Sequence, residues 1–153
     1  MKPPRLDDQL CFALYTASRL VIRAYKPTLV ALGLTYPQYL VMLVLWEWDE
    51  AGDNAHAMGE LGDRLHLDSG TLTPLLKRLQ DRGLVTRTRS EIDERVLLVG
   101  VTSAGRDLSH RGHEVPYSLA CYFRGDDLDN LIALRTSVQR IVERLGEDLT
   151  EQT

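Results

Sequence analysis

Leu67-Asp68-Ser69-Gly70-Thr71-Leu72-Thr73-Pro74-Leu75-Leu76-Lys77-Arg78-Leu79-Gln80-Asp81-Arg82-Gly83, with the run that continues to Thr102, fixes the reading of this chain. Asp68 to Thr71 are turn and cap residues, and Leu72, Leu75, Leu76 and Leu79 recur at i, i+3, i+4 and i+7, one apolar helix face. Gly83 stops the helix. Two β-like runs follow, Leu84 to Thr88 and Val96 to Thr102, around the charged tip Arg89-Ser90-Glu91-Ile92-Asp93-Glu94-Arg95. A helix followed at once by a charged hairpin is the layout of a winged helix-turn-helix. Its helix suits a DNA major groove and its hairpin tip a neighbouring minor groove. Pro74 is harmless if the helix begins near Thr71 and awkward if it begins earlier.

At 153 residues the chain suits one domain, residues 1–153, with a core of its own. A hydrophobic fraction of 44% beside 26% charged residues argues against disorder. Met1 to Arg5 leads into acidic residues, so no signal peptide is expected, and the apolar run Tyr39 to Trp46 is too short to span a bilayer. A cytoplasmic protein with no membrane partner is the expectation. The net charge is −4, yet Ser69 to Arg89 holds Lys77, Arg78, Arg82, Arg87 and Arg89 against Asp81 alone, leaving −8 on the rest. A basic face on an acidic body meets the electrostatic need of DNA binding, although a solvated basic helix face would read the same way.

Upstream, Asp7 and Asp8 are natural caps for a first helix with Leu10, Leu14, Ala17, Val21 and Ala24 on one face, its end frayed between Pro27 and Gly33. Thr35-Tyr36-Pro37-Gln38 is a capping box that opens a second, nearly all-apolar helix to about Glu50, the buried spine. Asp49 to Ala57 reads as a loop and Met58 to Leu65 as the first half of the helix-turn-helix. After the hairpin, Thr102 or Ser103 caps a fifth helix to about Tyr122, bent near Pro116, and Gly125-Asp126-Asp127 marks a break and a cap. The last helix repeats Leu128, Leu131, Leu134 or Arg135, Val138, Ile141 or Val142, and Leu145 over more than two heptads, a stripe suited to dimerisation. The expected fold is therefore mainly α with a small β-hairpin. A DNA-binding lobe lies at about 55–102, and dimerisation helices lie at about 7–32 and 103–149.

Among candidate residues, Arg95 near Asp93 suits a narrow minor groove, where the potential is most negative. Ser69, Thr71 and Thr73 stand at the start of the recognition helix; Lys77 and Arg78 suit phosphates, and Arg87 and Arg89 extend the basic charge onto the hairpin. Cys11 and Cys121 are too few for a disulfide framework and by composition read as small buried hydrophobes. Near the start of the first helix the macrodipole favours an anionic sulfur at Cys11 while Asp7 and Asp8 oppose it, so its sign stays open. Tyr25 and Tyr36 carry hydroxyls able to donate to a thiolate or peroxide oxygen, or are plain amphipathic aromatics. His110 and His113 at i, i+3 lack a carboxylate or thiol at familiar ligand spacing, so no metal is expected. With no catalytic, P-loop or dinucleotide motif, neither an enzyme nor a cofactor is expected.

Leu6-Asp7-Asp8-Gln9-Leu10-Cys11-Phe12-Ala13-Leu14-Tyr15, Leu34-Thr35-Tyr36-Pro37-Gln38-Tyr39-Leu40 and Leu67 to Arg78 together resemble the organic-hydroperoxide-sensing repressors of the MarR family, two-cysteine subclass. The resemblance runs from about Leu6 to Leu145. It implies a homodimeric repressor on a palindromic double-stranded operator, with Cys11 oxidised by organic hydroperoxides to a sulfenic acid. It also implies that Tyr25 and Tyr36 reach that cysteine from the partner subunit, and that Cys121 resolves the sulfenate as an intersubunit disulfide. The composition-based reading of the cysteines is thereby reversed. His66 stands where tyrosine is expected, and the 49–57 connection is longer than usual. Two other expectations stay open: a MarR-type repressor released by a small phenolic ligand, and a thiol peroxidase.

Overall fold

The computed structural model describes residues 4–122 and 127–151, without the side chains of 120–122, 127–128 and 148–151. Its elements are α1 (Leu10–Leu32), α2 (Tyr36–Glu50), β1 (His56–Ala57), α3 (Met58–Leu65), α4 (Ser69–Asp81), β2 (Val85–Arg89), β3 (Leu97–Val101), α5 (Ser103–Gly112) and α6 (Asp127–Glu151), with short 3-10 turns at Leu6–Asp8 and Pro116–Tyr122. The chain divides into two compact units, Met1–Ser118 and Leu119–Thr153.

In the first unit α2 is the spine. Thr35 accepts from the Gln38 amide while the Gln38 side chain accepts from the Thr35 amide, so both ends of the box close. Val41, Met42, Leu45 and Trp46 are buried along α2, and Leu61, Leu72, Leu76, Leu79, Val85 and Val99 pack into the same core. Each buried leucine contributes about 1.5–3 kcal/mol, enough to fix α4 by its inner face and leave the outer one free. The sheet order is β1-β3-β2, all antiparallel, with Val85 opposite Val101 and Arg89 opposite Leu97. Thr102 ties the hairpin base to the next helix: its hydroxyl donates to Gly83 O at 2.7 Å and accepts from the Gly105 amide at 3.0 Å.

Several expectations are corrected. Asp7 and Asp8 do not cap α1. They lie in the 3-10 turn, and Gln9 occupies the cap without a side-chain bond to the helix. On the expected apolar face of α1, Leu10 is 59% exposed and Ala17 exposed while Leu14, Val21 and Ala24 are half-buried, and Tyr25, Leu29 and Leu32 pack on the core. Pro27 does not fray α1, which continues to Leu32. The last two residues of the expected 49–57 loop form β1, pairing His56 with Val99 and Ala57 with Leu98. α4 begins at Ser69, so Pro74 sits inside it.

α5 ends at Gly112 and not near Tyr122, with the Trp46 ring against the Gly112 Cα. Pro116 has no amide to offer Gly112 O, and that oxygen accepts instead from Val115 N–H and the Tyr39 hydroxyl, each at 3.2 Å. The expected break at Gly125-Asp126 lies outside the described residues. In the second unit, α6 carries the expected stripe with Leu134, Val142 and Leu145 exposed, and Ile132 exposed beside them. Leu128's side chain lies outside the described residues. Among the described residues no single helix is long and apolar enough to cross a membrane.

Candidate nucleic-acid interface and thiol site

The turn between α3 and α4 is set by three residues. His66 ends α3 in the left-handed region at φ 53°, a conformation to which histidine is better suited than β-branched residues. Gly62 receives the Leu67 carbonyl so closely that a Cβ would stand 2.8 Å from it. Asp68 then caps α4: Oδ1 accepts from the Thr71 amide at 2.8 Å and Oδ2 from the Thr71 hydroxyl at 2.9 Å. The Thr71 amide, followed by its hydroxyl, holds this carboxyl below the usual aspartate range.

The face that α4 turns away from the core carries Ser69, Thr71, Thr73, Lys77 and Arg78, all exposed. Two of the expected hydroxyl donors are already engaged: Thr71 donates to Asp68, and Thr73 donates to Ser69 O at 2.6 Å. The Thr73 hydroxyl thus bonds back one turn within α4, and the two hydroxyls keep only acceptor capacity toward an outside partner.

The wing arginines are individually held. Arg87 Nε donates to Gln80 Oε1 at 2.7 Å, joining β2 to α4. Arg89 Nη1 donates across the tip to Glu94 O at 3.0 Å and Arg95 O at 3.4 Å. At the tip Asp93 Oδ1 accepts from the Arg95 amide at 3.0 Å, and Arg95 Nε lies 3.6 Å from the same oxygen with its side chain 95% exposed. The guanidinium is steered at its root and free at its end. Arg87, Arg89 and Arg95 face Thr73 and Gln80 across an open cleft of about 830 Å³. Gln80 was absent from the sequence-based candidates; only its seven-residue separation from Arg87 marks it.

Cys11 is a free, exposed thiol at the second residue of α1. Tyr25 and Tyr36 are brought together, rings stacked at 5.6 Å and 15°. Burial raises both phenols above their ordinary value, with Tyr36 adding to the shift of Tyr25, so both remain O–H donors at neutral pH. Cys11 and Tyr25 lie fourteen residues apart on one continuous helix, a separation of about 21 Å at about 1.5 Å per residue. The structure therefore does not bring them together within one chain. The Cys121 side chain lies outside the described residues.

Beside Tyr36 is a second hollow of about 480 Å³, lined by Ile22, Leu29 and Val30 together with Arg19, Arg23 and Lys26. His113, weighed as a metal ligand, packs near Trp46, with Nε2 3.8 Å from Glu50 Oε1. Among the described residues no group of three histidine, cysteine or carboxylate side chains could hold a metal ion.

The sequence profile of the SarA/Rot transcriptional regulators matches residues 23–111. The organic hydroperoxide resistance transcriptional regulator of Bacillus subtilis (strain 168) is 43% identical over 145 residues, 94% of this chain and 93% of the relative. Among solved structures, reduced AbfR bound to DNA superposes with a TM-score of 0.78 at 34% identity, covering 94% of each chain. Disulfide-formed AbfR superposes at 0.64 and 35% identity over 90% of this chain and 93% of that one. This winged-helix chain belongs to the SarA/Rot family of transcriptional regulators, among the organic hydroperoxide resistance regulators.

Proposed function

We propose that the protein is a homodimeric cytoplasmic repressor that holds a palindromic DNA operator while Cys11 is reduced and releases it when an organic hydroperoxide oxidises that thiol. The observation that carries this reading is the cleft in which Arg87, Arg89 and Arg95 of the wing face the exposed side of α4. Ser69, Thr71, Thr73, Lys77 and Arg78 are assigned to the major groove and its phosphates, Arg87 and Arg89 to the backbone, and Arg95, set by Asp93, to the minor groove. Dimerisation is assigned to α1 and α6, whose exposed Leu10, Leu20, Leu134 and Leu145 are apolar surface that a second copy would cover. Reduced, DNA-bound and disulfide-formed states of one relative, AbfR, support cysteine redox chemistry in a DNA-binding regulator of this fold.

In the proposed chemistry the Cys11 thiolate attacks the outer oxygen of the hydroperoxide. The O–O bond breaks, a sulfenic acid forms, and the alkoxide leaves as the alcohol after taking a proton. The hydroxyls of Tyr25 and Tyr36, contributed by the partner subunit, donate to the sulfur and the departing oxygen. The thiol of Cys121 then attacks the sulfenic sulfur, an S–S bond forms between subunits, and water leaves. A hundredfold loss of operator affinity requires only about 2.7 kcal/mol of coupling.

A mobility-shift titration tests the assignment. Reduced protein is expected to shift a palindromic duplex and to release it on adding an organic hydroperoxide, whereas Cys11→Ser protein stays bound. Release of the Cys11→Ser protein by the oxidant would overturn the sensing role. The hollow beside Tyr36, lined by apolar side chains and three cations, favours one second reading, release by a small phenolic or other anionic ligand. Ligand-driven release that survives thiol blocking would establish it. A thiol peroxidase is set aside because the family consists of regulators.

A further inference from the structure

The end of α1 presents three carbonyls, those of Ala31, Leu32 and Gly33, beyond the reach of the helix's own ladder. Gly33 N–H turns back to Val30 O and Leu34 N–H to Leu29 O, each at 2.9 Å, while Thr35 N–H is taken by Gln38 Oε1. Two arginines from elsewhere in the fold meet the three oxygens. Arg82, the C-cap of α4, donates from Nη1 to Gly33 O and from Nη2 to Leu32 O at 3.2 Å. Arg111 of α5 donates from Nη2 to Ala31 O at 2.8 Å. Gly33 is in the left-handed region at φ 68°, and a Cβ there would stand 2.8 Å from Arg82 Nη2, so the guanidinium lies directly over a residue with no side chain. Cations at the negative pole of a helix, donating to orphan carbonyls, make the stronger kind of hydrogen bond.

We propose that Arg82 is the positioning residue that carries the redox state of Cys11 to the recognition helix, by clamping the C-terminal end of α4 to the C-terminal end of α1. The inference rests on the thiol-gated reading above. α1 is continuous through Pro27, with the thiol at its first turn and the clamp at its last. A tilt imposed at Cys11 therefore reaches Leu32 and Gly33 as a displacement of the oxygens that Arg82 holds. The same residue is the C-cap of α4, directly after the turns that carry the exposed Lys77 and Arg78. Arg111 anchors the same pole to α5, which carries none of the assigned DNA contacts, and so serves as the internal comparison. Arg82 is exposed, so its replacement leaves the core intact.

The experiment uses full-length dimer and a palindromic duplex selected from a random library by the reduced protein. Fluorescence anisotropy gives Kd before and after treatment with tert-butyl hydroperoxide, and their ratio is the readout. Arg82→Met is expected to keep its reduced Kd within about threefold of wild type while the oxidised-to-reduced ratio falls at least about fivefold. Arg82→Lys, which keeps the charge but not the two-pronged fork, is expected to retain part of the ratio, and Arg111→Met all of it. A wild-type ratio in Arg82→Met, or equal weakening of both states, overturns the clamp while leaving thiol gating in place. If wild-type protein itself holds the duplex equally well after oxidation, thiol gating fails and the clamp with it. Should Arg82→Met not fold, an unchanged ratio in Arg82→Lys overturns the clamp alone.

Discussion

Replacing Gly62 by alanine sets two effects of similar size against each other. Alanine is the better helix former by about 0.8–1.0 kcal/mol in a helix interior, so propensity alone predicts a more stable protein. Against this, the new Cβ would stand 2.8 Å from Leu67 O and 3.8 Å from Leu72 Cδ2, and side-chain carbons do not approach oxygen within 3.0 Å. The obstructing atom is backbone, and it is pinned, because Leu67 N–H also donates to Gly62 O at 2.9 Å. Overpacking of this kind costs about 1–3 kcal/mol. We expect the clash to win, with Gly62→Ala less stable than wild type by up to about 2 kcal/mol. Leu67 directly precedes the Asp68 cap, so its retreat shifts the first turn of α4 and lowers operator affinity as well. Gly59, on the same helix, is the control: no atom lies within 4 Å of its Cβ position, so alanine there gains a few tenths to about 1 kcal/mol. Urea midpoints at equal protein concentration measure both. If Gly62→Ala gains stability alongside Gly59→Ala, the turn geometry argued here is wrong.

Arg95→Ala removes a side chain 95% exposed and loosely paired with Asp93, so its melting temperature should match wild type. Operator affinity should fall about 5- to 150-fold, the range for about 1–3 kcal/mol of lost groove contact, and a loss under about twofold would remove Arg95 from the interface. Tyr39 is raised from 10.0 to about 12, by burial first and then by Tyr25 and Tyr36. The stabilisation from keeping it neutral is whole below pH 10.0 and lost as pH rises through about 12. Tyr39→Phe should therefore unfold less steeply than wild type in that window by circular dichroism, and identical alkaline curves would contradict this. Asp68 has the opposite sign: lowered chiefly by the Thr71 amide, it stabilises above its ordinary value of 3.8 and loses that contribution as pH falls through the lower folded value. Thermal midpoints of wild type and Asp68→Ala should accordingly converge in strong acid and separate at neutral pH.

What could be read from the sequence was local. The Thr35–Gln38 box, the leucines of α4 and the hairpin flanking Arg89–Arg95 form through neighbours within a few residues, so composition and spacing are enough to locate them. What escaped depends on partners far along the chain. β1 is two residues long and exists because β3 pairs with it, and α5 stops where Gly112 meets Trp46. At the candidate interface the exposed residues were legible by type, but not their internal obligations, such as the Thr71 and Thr73 hydroxyls already donating and Arg87 held by Gln80. Asp7 and Asp8 show the limit even of local chemistry: two good capping residues stand two residues and one residue too early, and Gln9 takes the position. Arg82 gave no signal, because its partners are carbonyls about fifty residues upstream.

If Cys11, Tyr25 and Tyr36 act together as proposed, the separation of Cys11 from Tyr25 along α1 means that no single copy of the chain holds a whole sensor. On the proposed reading each copy lends its thiol to one site and its phenols to the other. Separated chains are then inert toward peroxide as well as weak on DNA, and intracellular concentration becomes a condition for hearing the signal. The same division of labour permits complementation. A mixed assembly of one Cys11→Ser chain with one Tyr25→Phe/Tyr36→Phe chain pairs an intact thiol with intact phenols at one site and leaves the other empty of both. Two defective proteins, co-expressed, would restore through their mixed dimers a response that neither can mount alone.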